Sequence, residues 1–564
     1  MKKFLYLLWI VAIISACSND FLDTENLREK DLDSYYASPK DLDEALAGVY
    51  NALYMPDILS MEGVAANLLS DMMLGGGGPD DVKAKAIDAF QDPLEDTYFD
   101  LWGKTYQGVT RANALIEKGS EADLTANFTS DAEAQAFKRN ILGEAHFMRA
   151  FFYFRAAKFF GGMPLITKIN DDRTVGRATF SETFAQIASD LKKAIEMMPS
   201  ETFTNIPTSQ YGHANKWVAQ AYLARVYLFY TGYMTNIEGQ ATSELPLVEG
   251  GGISKAEVLN NLEDCIANSG YKLADDFREL WPYANVNSSA GEVVLPWADD
   301  EDLEWVGQDG HTPTFGTGNL ETMFMVRYSF GDWGYGQQFS NRIPLFFGVR
   351  GNNMVPFGTG WGWGPVNPNL WHQWDDTDPR KRGSILELGE AAQGTQSYQG
   401  SQGDHETGYT NKKYTTVQHG GSLGVVGMFV YMYNWPNTDF QLWAAQDYQL
   451  IRFADVLLMH SEISETPNGL NQVRARAGLS SVGYSLEALK EERLHELSFE
   501  GLRWFDIVRW GDVDTAFNGT IPVNNSGIAG TYSITYRSET KGLLPIPETE
   551  IRLSGGLYQQ NPGW

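Results

Sequence analysis

The densest hydrophobic stretch of the chain runs from Gly143 to Leu165, GEAHFMRAFFYFRAAKFFGGMPL. Phe147, Met148, Phe151, Phe152, Phe154, Phe159 and Phe160 are interleaved with Ala145, Ala150, Ala156 and Ala157. At 3.6 residues per turn these positions cover most of a helix circumference. A helix apolar nearly all round must pack on several sides, so the pattern predicts a central core helix with no chemistry of its own. Gly161-Gly162 supplies its stop and Pro164 blocks continuation. Helical periodicity predicts further elements at 39–54, 96–118, 130–160, 180–198, 213–233 and 254–268. In the fifth of these, Ala214, Trp217, Val218, Ala221, Tyr222, Ala224, Arg225 and Tyr227 show the small/large alternation of helical-hairpin repeats.

From about 271 to 445 the periodicity is lost and Gly, Asn, Ser and Pro become dense. Ten of the sixteen tryptophans fall here: Trp281, Trp297, Trp305, Trp333, Trp361, Trp363, Trp371, Trp374, Trp435 and Trp443. Helical patterns return at 447–463 and 485–511. The expected organisation is a mostly α-helical scaffold, 18–270 and 446–564, split by a loop-rich, aromatic-rich region at 271–445. Loops held by rigid scaffolds are where binding residues concentrate, so that region is the place to look for function.

Charge narrows the partners. The chain has 564 residues and a formal net charge of −29, which excludes nucleic acid, since nothing replaces the phosphate counterions. Residues 1–17, MKKFLYLLWIVAIISAC, join a basic Lys2-Lys3 to a short apolar run and then to small residues before Cys17. The run is too short for a bilayer span, which needs about 20 residues. The pattern is that of a bacterial lipoprotein signal, with Cys17 as the lipidated N-terminus after cleavage and several acyl chains as the anchor. The other cysteine, Cys265, then has no disulfide partner and is expected to be a buried small apolar residue.

The search for reactive groups returns little. The eight histidines form no HExxH or Cys/His cluster, and no GxSxG, P-loop or dinucleotide fingerprint is present. No metal or cofactor is expected. Adjacent carboxylates such as Asp299-Asp300, Asp375-Asp376 and Asp80-Asp81 do not by their adjacency make a glycosidase pair, which must straddle a cleft. The acidic run at 297–305 has the hard oxygens that Ca²⁺ prefers but not EF-hand spacing. Gly75 to Gly78 reads as a flexible loop. Glu491, Glu492, Arg493, Glu496, Glu500 and Arg503 read as intrahelical and interhelical ion pairs worth a few tenths of a kcal/mol each.

The tryptophans of the irregular region are the positive signal. An exposed indole covers the C–H face of a sugar ring; about 100 Å² at about 25 cal/mol/Å² is roughly 2.5 kcal/mol gross per platform. Glycine-flanked aromatics are the best candidates: Trp333 and Tyr335, with Gln337, in FGDWGYGQQ, and Trp361 and Trp363 in FGTGWGWGP. Trp281 and Trp305 are further candidates. Trp371 and Trp374 sit at helical spacing beside Leu370 and read as core.

Several segments in order resemble one family. They are FLDTE after Cys17, WGKTYQGVTRANALI at 102–116, GEAHFMRAFFYF…FFGGMPL, RFADVLLMHSE at 452–462, NQVRARAG at 471–478, EERLHELSFEGLRWFDIVRWG at 491–511, and LLPIP…QNPGW at the end. Together they resemble the SusD/RagB family of outer-membrane nutrient-binding lipoproteins. The resemblance implies four tetratricopeptide-like helix pairs and a variable loop-rich ligand region. It also implies a SusC-like TonB-dependent β-barrel transporter as partner, which the protein caps as a lid on the cell exterior. Most members bind glycans and a minority bind peptides, and neither group is enzymatic. The loop before the WGKTY helix reaches the ligand site in this family, which makes Asp71, Asp80 and Asp81 candidate hydroxyl acceptors. The expectation is a glycan-binding lipoprotein. A peptide binder, a glycoside hydrolase and a helical scaffold for protein partners are the alternatives.

Overall fold

The computed structural model describes residues 35–564, except 304–318, the short segments 59–60, 92–95, 289–292, 351–355, 422–423 and 436–437, and single positions 296, 330, 335, 359, 396, 399, 401, 416, 434 and 443. Cys17 and the signal segment, Trp305 and Tyr335 therefore lie outside the described residues.

The central helix is Asp131–Phe160, and every residue from Ile141 to Phe160 is buried. Ser130 caps its start by accepting the Glu133 N–H, and Gly161, at φ 78°, ends it. It packs between Phe99–Glu121 and Phe180–Met197. Lys216–Asn236 packs on the latter and on Lys255–Asn268, which in turn meets Phe453–Ser464. Each helix buries its apolar face against its neighbours in sequence, the packing of a helical-repeat array. Two of the polar residues in this layer share one partner: Arg149 grips Asp190 through Nε at 2.8 Å and Nη2 at 2.6 Å, and His146 Nδ1 lies 2.7 Å from the same carboxylate. Burial alone would raise the Asp190 carboxyl, but Arg149 and His146 hold it well below the usual carboxylate range. Cys265 is buried, and burial pushes its thiol up to about 12.

Two predicted helices differ from expectation. The 447–463 segment starts as a strand, Tyr448–Arg452, and becomes a helix only at Phe453–Ser464. The strand pairs antiparallel with Thr322–Val326, stapling the irregular region back to the scaffold. Phe324 of that pair sits edge-on to Phe147 and Phe151 of the central helix, at 5.4 and 5.6 Å. The 485–511 segment breaks into Leu486–Glu496 and Arg503–Trp510, with Phe499 at φ 63° and Gly501 at φ 74° between them. Asn67 reads this turn, donating to Phe499 O at 2.9 Å and accepting from Gly501 N at 3.0 Å.

The charged residues of that segment also differ from expectation. Glu492, Arg493, Glu496 and Glu500 point inward. Arg452 bonds Glu496 Oε1 at 2.9 Å, Glu500 at 2.8 and 2.9 Å, and Glu321. Arg476 reaches Glu321 at 3.0 Å, while Arg380 and Lys413 of the irregular region reach Glu496 at 3.0 Å and Glu500 at 2.7 Å. This buried network joins the irregular region to the helices. The irregular region adds a smaller apolar core of its own, with Leu295, Phe357, Leu386, Met428 and Phe429 among its members.

Candidate functional site

The loop after Glu62–Leu68 and the loop carrying Trp361 meet. Residues 72–78 run against 362–367: Leu74 N donates to Pro365 O at 2.9 Å, Gly77 N to Gly362 O at 2.8 Å, and Gly364 N to Gly75 O at 3.1 Å. The four-glycine run is close-packed here, which corrects its reading as a flexible loop. Gly76 has φ 67°, and a Cβ on it would lie 2.4 Å from Gly362 O. Asp88, buried beneath, accepts the Gly75 N–H at 2.9 Å, and burial pushes its carboxyl up to about 7. Lys85 ties the far side of the run, donating to Gly78 O at 3.0 Å and to Asp404 at 2.8 Å. Across the contact, a Cβ on Gly360 would fall 2.3 Å from the Gly348 backbone. Gly360→Ala should therefore displace the Trp361 loop and cost about 1–3 kcal/mol, read as a lower melting temperature together with weaker ligand binding.

Four segments converge on an open shelf beside this contact. Trp333 is 50% exposed, and its indole N–H donates to Asp439 Oδ2 at 2.6 Å. Trp361 is half-buried and packs edge-on to Phe346 at 4.6 Å. Between the two indoles lies Arg342, its guanidinium carbon 5.9 Å from each ring centroid and 5.2 Å from that of Phe346. Burial lowers the Arg342 pKa, and the charges of Asp57 and Asp439 partly offset this. Its Nε is buried and has no hydrogen-bond partner. The shelf thus offers two aromatic surfaces about a cationic donor, flanked by carboxylates on both sides.

The other candidates divide. Trp281 is fully buried, with its ring against Tyr414 at 5.3 Å and beneath Lys413 and Arg452, so it is core and not a platform. Trp363 is 6% exposed and packs on Phe346 at 4.3 Å; it fixes the loop that carries Trp361. Asp71 is held by Arg503 at 2.9 and 2.7 Å, an ion pair that occupies both its oxygens. Asp81 closes its own turn on Gly78 N at 2.6 Å and lies 3.5 Å from Arg350. Asp80 is exposed at the loop tip. Trp371 and Trp374 are buried, as expected. Sequence reasoning missed Arg342, Asp57 and Asp439, which lie far apart in the chain and carry no motif. Among the described residues no His/Cys/Asp/Glu cluster is arranged to hold a metal, and no helix is long and apolar enough to cross a membrane.

Residues 20–228 match the family profile described as starch-binding associating with outer membrane, and residues 368–564 match that of the SusD family. SusD-like protein P2 of Formosa agariphila is 24% identical over 560 residues, 94% of each chain. The structure of a laminarin-binding SusD-like protein superposes with a TM-score of 0.70 at 24% identity, covering 94% of this chain and 100% of that one. That of surface glycan-binding protein A from Bacteroides thetaiotaomicron in complex with laminarihexaose gives 0.67 at 19% identity, covering 93% and 100%. With both profiles seated in order along the helical scaffold and nearly the whole chain sharing this fold, the protein belongs to the SusD/RagB family.

Proposed function

We propose that this protein is a cell-surface glycan-binding protein that captures an oligo- or polysaccharide on the Trp333–Arg342–Trp361 shelf. It passes the glycan to a SusC-like TonB-dependent transporter of the outer membrane, over which it acts as a lid. The observation that carries this reading is the pair of partly exposed indoles, Trp333 and Trp361, on either side of the Arg342 guanidinium. A pyranose presents an apolar C–H face to an indole and a hydroxyl rim to Arg342 and the flanking carboxylates, and ordering costs keep such capture weak and reversible. The names of two similar structures make a laminarin-type β-glucan the first ligand to test. In affinity electrophoresis the protein should be retarded by laminarin or another neutral glycan. Free migration through every glycan tried would overturn the reading.

No step of this function requires bond cleavage. Prolonged incubation with a bound oligosaccharide should release no reducing ends above a blank. Membrane attachment is assigned to a lipid on Cys17, motivated by the signal-like residues 1–17. Cys17→Ala should move the protein out of the membrane fraction, and unchanged partition of that variant would remove the anchor from the proposal.

A further inference from the structure

A cavity of about 150 Å³ opens on the scaffold between the 199–215 loop, the central helix and the strand Thr322–Val326, where the Trp333 shelf takes no part. Its floor is polar. Glu144, itself buried, accepts hydrogen bonds from Tyr50 Oη at 3.0 Å and Asn140 Nδ2 at 3.2 Å, and lies 2.9 Å from His213 Nδ1. An ionised carboxylate only accepts, so the Nδ1 of His213 carries a proton, and Nε2 is an acceptor once the ring is neutral. The walls are apolar and aromatic: Phe203 stacks on Tyr211 at 5.1 Å and on Tyr271 at 4.3 Å, and Met323 and Met325 face them.

The fixed charges of the lining residues are carboxylates. Glu144 and Glu201 line it and Asp43 acts on His213 from the Pro39–Tyr50 helix, whereas no lysine or arginine is among the lining residues. Two cations neighbour it: Lys216, whose Nζ bonds Ser200 Oγ at 2.9 Å and Asp264 Oδ2 at 3.0 Å, and Arg327, which also acts on His213. Arg327 is outside the lining, bonded to Tyr211 O at 3.1 Å and 3.9 Å from Asp447. An anion would meet two carboxylates here, with no lysine or arginine in the lining to offset them. An ammonium would find acceptors on the floor and π-faces and thioethers on the walls, the combination that recognises organic cations. The free space suits one small ring and not a chain.

We propose that this cavity is a second ligand site, which takes a small polyol bearing an ammonium group, the class to which a single amino-sugar ring belongs. The ammonium donates to Glu144 and to Nε2 of His213, and the apolar ring face lies on the Met323 and Met325 wall. Burial opposes protonation of His213, but the hydrogen bond and charge of Glu144, with Asp43, outweigh it and hold the imidazole above its ordinary value. The bound ammonium replaces that imidazolium proton as the counter-charge of Glu144.

The test uses the full chain carrying Trp333→Ala, which removes the shelf from the measurement. It is titrated with glucosamine, glucose and glucuronate, which share a ring and differ in charge. Glucosamine should saturate at least about tenfold more tightly than glucose, as expected when a charge-assisted bond replaces a neutral one, and glucuronate should not bind. Glu144→Gln should weaken glucosamine by about tenfold or more. Glu201→Gln, on the exposed rim, should weaken it several-fold with the melting temperature unchanged, and it decides the matter alone if Glu144→Gln does not fold. Absence of saturable glucosamine binding, equal affinity for the three sugars, or a preference for glucose or glucuronate would overturn the proposal.

Discussion

Arg452→Met should lower the stability of the protein by about 3–5 kcal/mol. Arg452 is fully buried and is the shared partner of Glu321, Glu496 and Glu500. Methionine fills much of the volume but leaves those buried carboxylates to share Arg476, Arg380 and Lys413, one positive charge short where ions are costly. Glu321 belongs to the irregular region, Glu496 to the Leu486–Glu496 helix and Glu500 to the turn that follows it. Loss of Arg452 should therefore loosen the Thr322–Arg452 staple before the scaffold itself melts. Thermal unfolding should show a lower and broader transition. Lys255→Ala, which removes an exposed pair with Glu465, should leave the transition where it is. A normal melting temperature for Arg452→Met would mean that the network is not what joins the two parts.

The same ion pairs set an acid limit. Burial would raise the Asp455 carboxyl, but Arg493 and Arg225 pull it down to about 2 from an ordinary 3.8. Glu496 is likewise held low by Arg476, Arg452 and Arg380 against its burial. A carboxyl whose folded pKa is depressed contributes its full stabilisation above the unfolded value and loses it as pH falls through the folded one. For Asp455 that loss falls between pH 3.8 and about 2, and melting temperatures across this window should fall steeply after a plateau above it.

Trp333→Ala and Trp361→Ala should each weaken glycan binding by about 5- to 150-fold in Kd, equivalent to about 1–3 kcal/mol of lost stacking. Trp333 is half exposed, so its removal should leave the melting temperature nearly unchanged. Asp80→Ala, at the exposed loop tip, should cost about 1 kcal/mol or less, because a carboxylate–hydroxyl bond there only replaces one to water. Trp281→Ala and Trp363→Ala form the contrast. Both rings are buried, and their loss should appear first as about 3–5 kcal/mol of lost stability. Calorimetry on the four tryptophan variants, with melting temperatures alongside, separates the two groups. If Trp333→Ala and Trp361→Ala bind as tightly as the parent protein, the glycan lies elsewhere.

The sequence by itself determined the helical scaffold, because a core helix leaves a periodic apolar trace that needs no knowledge of its partners. Gly143 to Gly161 is legible as a buried helix from its phenylalanine and alanine spacing alone. The family motifs are legible for the same reason, since they are the scaffold's packing residues. Tertiary structure decided the rest. Tyr448–Arg452 is a strand because Thr322–Val326, more than a hundred residues away, offers it a pairing edge. The 485–511 helix breaks because Asn67 holds the backbone of Phe499 and Gly501. Glycine neighbours made Trp333, Trp361 and Trp363 look alike, yet Trp363, packed between Phe346 and the glycine run, is buried while Trp361 stays half open. Arg503, 432 positions from Asp71, occupies a carboxylate that local sequence left free. Arg342 joins the shelf only where the 57, 333, 361 and 439 segments converge. Burial and pairing at a site built from distant loops are sums over contacts between segments, and composition within any one segment carries no record of them.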